Sequence, residues 1–458
     1  MDWRWLGHAM WLVEAGGLRI AFDPLLEASH HGGVFEIFPA RRIDAAGLRP
    51  DFVVVSHRHP DHFDVASLRA LAAADPDTVL LSPDPLVVQA GRRLGFRTAR
   101  LVPPGTLVEL PGIRMCTTPS AGAEECGALL AHAGVTAWNQ VDSAPGDAAR
   151  IAEVLAAALG AVGAPAAASV DLAMLRWQPL REVAAALGET AAFPFDVYGA
   201  LLDEAAAAGA RAVVPAAAGV RHASWCGDLN GSVYPISEAR FRADLSRRAP
   251  GTRVLAATLA GRYRVGAEGV EVHEGALPSW LHVEAPALDP RAWLPLEWPP
   301  LRDAHGDGAG EARARRVVDD WVISRLAPAL RAAWADAAAG GELSFVLDVV
   351  FAEARDAWTV RVDATGARVT RELDPEWDVL DRASGSLLCD VIEGRRHWGD
   401  LLLSASLRGL SRAYRVDARG LVPLPVAPLF VYHAISYEES VRRAIEHEAG
   451  GRWSSPPG

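Results

Sequence analysis

The chain has 458 residues, half of them apolar and 22% charged, with 57 acidic against 45 basic side chains and a formal net charge of −12. That length accommodates more than one hydrophobic core, and the acidic excess argues against nucleic acid as a partner. Every basic residue is arginine. Without lysine the chain cannot form an imine with pyridoxal phosphate, carry biotin or lipoate, or build a Walker-type phosphate loop.

Four cysteines, Cys116, Cys126, Cys226 and Cys389, stand without a CxxC pair. This argues against a disulfide framework and against a cysteine zinc site, and fits a reducing cytoplasm. The opening MDWRWLGHAM lacks the layout of a signal peptide, and the most apolar window, residues 154–170, is too short and too weakly apolar to span a bilayer. The reading is a cytoplasmic protein with no membrane partner.

In chain order, WRWLGHAMWLVEA and LRIAFDP flank a Gly-Gly turn and predict a hairpin. RPDFVVVS predicts a buried strand, followed by a helix over 65–74, the strand TVLLSP, a helix over 85–94, and strands in RLVPPGTLVEL and IRMCTTP. GALLAHAGVTAWN predicts paired strands, a helix covers 147–160, VDLAML and ARAVVP are strands, and a helix spans 196–208. Strands mixed with helices point to layered α/β structure. Residues 285–311 are rich in proline, glycine and charge and read as a linker, so that 1–284 and 312–458 form separate domains. The second begins with a helix and two alternating strands, and DVLDRASGSLLCDVIEGRRHWGDLLLSASL reads as mostly helical.

Chemistry concentrates in VVVSHRHPDHFDV, residues 53–65. A strand ending at Ser56 delivers His57 and His59 to one side, and Asp61 and His62 follow on a turn begun by Pro60. A lone histidine beside a strand is usually structural, but three within six positions, with an aspartate among them, is metal-ligand spacing. One imidazole pair suits one cation and the Asp61/His62 pair a second beside it. Two adjacent divalent ions can orient and polarise a substrate and activate water or dioxygen.

On these residues the sequence resembles the metallo-β-lactamase superfamily, whose HxHxDH signature stands here as His57-Arg58-His59-Pro60-Asp61-His62. Gly7-His8 in WLGHAMWLVEAGGLRIAFDP resembles the opening of the ascorbate-phosphate lactonase branch. The resemblance covers residues 1–284. It implies an αββα sandwich with the metals at one edge of the two sheets, and Asp23 supporting the ligands from behind. In the hydrolytic branches the third motif is a histidine, the fourth an aspartate bridging both metals, and the fifth a histidine on a late strand. Here the third region, MCTTPSAGAEECGALL, offers only Glu124 and Glu125. The fourth, TAWNQVDSAPGD, puts Asp142 in the bridging slot, and the fifth, ARAVVPAAAGVRHASWCGDLN, contains only His222, several residues past the family position.

The resemblance therefore implies His57 and His59 with Glu124 or Glu125 on one metal, Asp61, His62 and His222 on the other, and Asp142 between them. Asp61 and His8 are the candidate catalytic residues, His8 through a hydrogen bond to substrate or to a metal-bound oxygen, with packing on the hairpin as the alternative. His30 and His31, in a glycine-containing loop, read as a solvated pair that can also line the cleft. A carboxylate in place of an imidazole makes the pocket harder, which shifts preference from zinc toward iron or manganese. The Asn139-x-x-Asp142 turn and the PxA stretch resemble the CMP-N-acetylneuraminate hydroxylases, without their Rieske CxH...CxxH module, and the carboxylate in the third motif resembles the di-iron β-hydroxylase of chloramphenicol assembly. The implied activity is a di-iron oxygenase acting on a small-molecule or carrier-bound substrate with an electron donor. A metal-dependent hydrolase of lactonase or phosphodiesterase type is the alternative, and a non-catalytic binding module the third reading. The C-terminal α+β domain resembles sterol-carrier-type domains in pattern alone, and offers an apolar pocket, a cover for the site, a homodimer contact or mere bulk.

Overall fold

The computed structural model describes the chain apart from residues 123, 166–167, 285–288, 292, 294–296, 304–307, 338–340, 412, 418–419, 424–428, 430–440 and 451–458. Two sheets face each other across the first core. One has eight strands, in the order Gly269–His273, Arg262–Gly266, Asp2–Trp5, Trp11–Ala15, Leu18–Phe22, Phe52–Val54, Val79–Ser82 and Thr98–Leu101. The other has seven, in the order Leu107–Leu110, Ile113–Pro119, Cys126–His132, Val135–Asn139, Leu172–Arg176, Ala212–Ala216 and Arg253–Val254.

Strand alternation explains the layering. Trp3, Trp11, Val13, Ile20 and Phe22 point into the inter-sheet core, where they meet Met115, Leu130, Met174 and Val214. Their neighbours Leu12 and Ala21 point the other way, beneath the helices Val65–Ala74 and Pro85–Leu94. The second sheet is covered by Ala148–Ala161, Phe195–Ala207 and Glu238–Arg248. This is an α/β sandwich of four layers, helices outside and sheets inside. The helix starts are written locally: the side chains of Asp64, Asp84 and Asp147 accept from Ser67 N, Leu86 N and Arg150 N, and Pro85 follows its cap directly.

A separate core runs from Ala314 to Leu429, around the five-stranded sheet Gly366–Thr370, Arg355–Asp363, Leu343–Val350, Val379–Ser384 and Leu407–Ser411. The segment expected to be mostly helical instead opens and closes with the strands Val379–Ser384 and Leu407–Ser411, with helices Gly385–Ile392 and Trp398–Leu403 between them. Val379 and Ala383 pack inward at strand spacing, and parallel pairing with Leu343–Val350 overrides the local helical pattern. Much of the expected linker lies outside the described residues. Its described part is docked: Arg291 Nη1 donates to Ala218 O at 2.9 Å and Trp298 Nε1 to Glu189 O at 2.7 Å, and a helix already begins at Gly308. Among the described residues no helix is long and apolar enough to cross a membrane.

Trp3 stacks on Phe22 at 5.6 Å and meets Trp11 edge-on at 6.0 Å in the centre of the sandwich. Trp3→Ala should therefore cost about 3–5 kcal/mol, read as a lower urea midpoint with an unchanged slope.

Candidate metal centre

The strand Phe52–Val54 ends beside the strand Leu18–Phe22, and Asp23, the residue after the latter, takes a left-handed φ of 42°. That turn aims a fully buried carboxylate back at the signature. Asp23 Oδ1 accepts from Ser56 N at 2.7 Å, and Oδ2 accepts from Ser56 Oγ at 2.9 Å and His62 Nδ1 at 3.0 Å. With its proton committed to Asp23, Ser56 Oγ accepts from His57 Nδ1 at 2.9 Å. The network thus fixes both imidazoles with their Nδ1 protons facing inward and their Nε2 atoms facing the cleft, the arrangement that prepares histidine for a metal.

What those nitrogens meet is decisive. His62 Nε2 lies 2.9 Å from Asp142 Oδ2 and 3.2 Å from Asp61 Oδ2. His57 Nε2 lies 2.8 Å from His59 Nδ1. His8, on the left-handed turn after the first strand, donates from Nε2 to Asp61 Oδ2 at 3.0 Å. Ligand atoms of His57, His62 and Asp142 all lie within 4.8 Å of one another, as do those of His8, Asp61 and His62. Burial works against the charged form of His62, yet Asp61, Asp142 and Asp23 push it well above the ordinary imidazole range. Burial, with His62 and His59 nearby, takes His57 well below it. A lone pair facing two carboxylates calls for positive charge at that point, and either a proton or a metal cation meets the demand. The donor set fits a divalent cation.

Of the residues singled out from sequence, His8, His57, His59, Asp61, Glu125 and Asp142 line one cleft of about 700 Å³. Burial first, and then the charge of Asp142, raise Glu125 above the usual carboxylate range. Two expectations need correction. Glu124 is not in the centre: it is exposed and pairs with Arg58, which reaches across from the signature turn. Nor is His222, which sits on the next short strand, Val220–His222, donates from Nε2 to Leu403 O at 3.1 Å and packs on Phe35 and Tyr234. The position directly after the late strand is Ala217, and it lines the cleft.

His30 and His31, expected as a solvated pair with the cleft as the alternative, are in the cleft wall, and the structure brings in residues that sequence reasoning passed over: Glu182, which burial pushes up to about 7, and His397, Leu402 and Leu403 at the helix Trp398–Leu403. Adjacent histidines before paired glycines were the one available signal; contact across several hundred residues leaves no local signature. The two arginines of the cleft are neutralised, Arg58 by Asp84 and Glu124, and Arg176 by a bidentate pair with Glu204.

Residues 3–134 match the family model of the beta-lactamase superfamily domain. This segment is a beta-lactamase superfamily domain. Over 131 residues the chain is 28% identical to a metal-dependent hydrolase of Pyrobaculum aerophilum, a match covering 28% of this chain and 53% of that protein. The chain thus spans about half the length of the curated relatives it matches. Among solved structures, an isothiocyanate hydrolase from Delia radicum gut bacteria is 14% identical, covering 58% of this chain and 100% of that one with a TM-score of 0.40. A diiron beta-hydroxylase from Streptomyces venezuelae is 15% identical, covering 57% and 53% with a TM-score of 0.38.

Because Asp23 orients both His57 and His62, Asp23→Asn should weaken zinc or manganese binding by about 10–100-fold with the fold retained, as measured by calorimetric titration.

Proposed function

We propose that the chain is a metal-dependent hydrolase that binds divalent cations between His57, His59, Asp61, His62 and Asp142 and cleaves an uncharged small molecule, an ester, lactone or amide. The observation that carries this reading is His62 Nε2 facing both Asp61 and Asp142 at hydrogen-bond distance. The matched relative from Pyrobaculum, named a metal-dependent hydrolase, supports the same class.

When bound, the cations supply Lewis acidity and an acidified water. The chain supplies the rest. His62 is common to the two groups of ligands, Asp142 belongs to one and Asp61 to the other, and His8 holds a proton at Nε2 against Asp61, within reach of a leaving group in the cleft. Phe35, Leu180, Val183, Leu402 and Leu403 give the cleft an apolar wall. The charges favour a neutral substrate: both arginines are taken up by carboxylates, while Asp61 and Asp142 face the cleft. Such a cleft repels a phosphodiester more than a neutral acyl group.

A second reading, the iron oxygenase, has one observation in its favour. Glu125 reaches the cleft beside Asp142, where the hydrolytic branches carry a histidine, and the harder ligand suits iron. The relatives named as hydrolases weigh against giving it first place.

The test is turnover of a panel of aryl esters, lactones and bis-aryl phosphodiesters by protein loaded with zinc, manganese or iron. Ester or lactone cleavage is expected. It should be lost on chelation, restored by zinc or manganese, unchanged without oxygen, and lowered on the order of 100-fold or more by Asp142→Ala. Turnover only with iron and dioxygen would replace this reading with the oxygenase, and preference for phosphodiesters would overturn the substrate class.

A further inference from the structure

Two histidines of the cleft have no role in the function just proposed. His30 ends the short strand Ser29–His30, and the turn after it carries His31, Gly32 and Gly33 at φ of 49°, 58° and 80°. Three successive left-handed residues, the first with a β-carbon, are costly unless the surroundings hold them. Here they do. Arg396 Nη1 donates to Gly32 O at 2.9 Å, Trp225 Nε1 donates to Gly33 O at 2.8 Å, and a β-carbon on Gly32 would lie 2.4 Å from Asp400 Oδ2.

The outcome of that strain is a second imidazole pair. His30 Nδ1 and His31 Nδ1 face each other at 2.6 Å, the same nitrogen-to-nitrogen approach that His57 Nε2 and His59 Nδ1 make at 2.8 Å. The pair adjoins the Asp61 side of the centre, since the His30 ring stacks on His8 at 5.7 Å and His8 is bonded to Asp61. His30 Nε2 and His8 Nδ1 are buried without a hydrogen-bond partner. A buried imidazole nitrogen left bare offers its lone pair to a cation. The late-strand position that would otherwise supply an imidazole is Ala217.

We propose that the His30–His31 pair supplies the imidazole ligand to a divalent transition-metal cation on the Asp61 side, in place of a histidine at position 217, with the C-terminal unit holding the pair in position. This rests on the metal-dependent reading above.

The experiment uses the full chain, zinc titration by calorimetry, and cobalt(II) absorption as a spectroscopic readout. The wild type should bind two zinc ions per chain. A His30→Ala/His31→Ala variant should bind one with unchanged affinity, and adding Ala217→His to that variant should restore the second. Arg396→Ala should weaken only the second ion, by about tenfold. Two ions held at wild-type affinity in the double variant would overturn the proposal. So would loss of both ions, or failure of Ala217→His to restore the second, because either result gives the pair a packing role. A wild type that binds no zinc, manganese or iron would instead overturn the metal-dependent reading itself.

Discussion

The centre depends on one buried carboxylate. Asp23 accepts from Ser56 N, Ser56 Oγ and His62 Nδ1, and through Ser56 Oγ it also settles His57. A carboxylate this deep is tolerable only because its hydrogen-bond partners are donors. The bonds that satisfy it join the end of one strand to the turn that follows another, so backbone closure and imidazole orientation are the same event. The fold does not merely carry the signature; it determines which nitrogen each histidine offers.

That orientation creates an electrostatic problem the protein side chains leave open. His62 Nε2 faces Asp61 and Asp142, Glu125 stands close by, and burial pushes Glu182 up to about 7, toward its neutral form at physiological pH. The cleft arginines cannot help, because Asp84, Glu124 and Glu204 already engage them. Asp61 and Asp142 therefore face His62 with the cleft arginines paired elsewhere, and a proton on His62 or a bound cation answers their charge.

Much of this was legible in the sequence, because it is local. The HxHxDH run, Asp23, Asp142 and the helix caps depend on spacing and strand ends, and the sandwich follows from alternating apolar residues in the first strands. The third ligand region was ambiguous for a geometric reason: Glu124 and Glu125 are adjacent just before the strand Cys126–His132, so they face apart, and an arginine sixty-six positions away captures one of them. His30 and His31 read as solvated because the groups that bend and bury their loop, Arg396 and Asp400, lie more than three hundred and sixty residues later. In 379–411 the apolar run of the helix Gly385–Ile392 masked the flanking strands, whose assignment depends on pairing with Leu343–Val350 and not on their own pattern.

His222 shows how the same residue type can be diverted by its setting. It is a buried late histidine, close in sequence to where the hydrolytic branches carry a ligand, but the chain runs on past Ala217 and Gly219 before reaching it. By then the backbone has joined the small sheet with Phe35–Ile37, and the ring turns toward the helix Trp398–Leu403, giving its Nε2 proton to Leu403 O. An imidazole that donates there ties the helix bearing Leu402 and Leu403 to the sandwich, next to the cleft those two leucines line. The accessory unit thereby becomes a wall of the site, with apolar side chains that lower the local dielectric around Asp61 and His62. His222 thus anchors the helix that carries this apolar wall, and its ring does not reach the group of His57, His62 and Asp142.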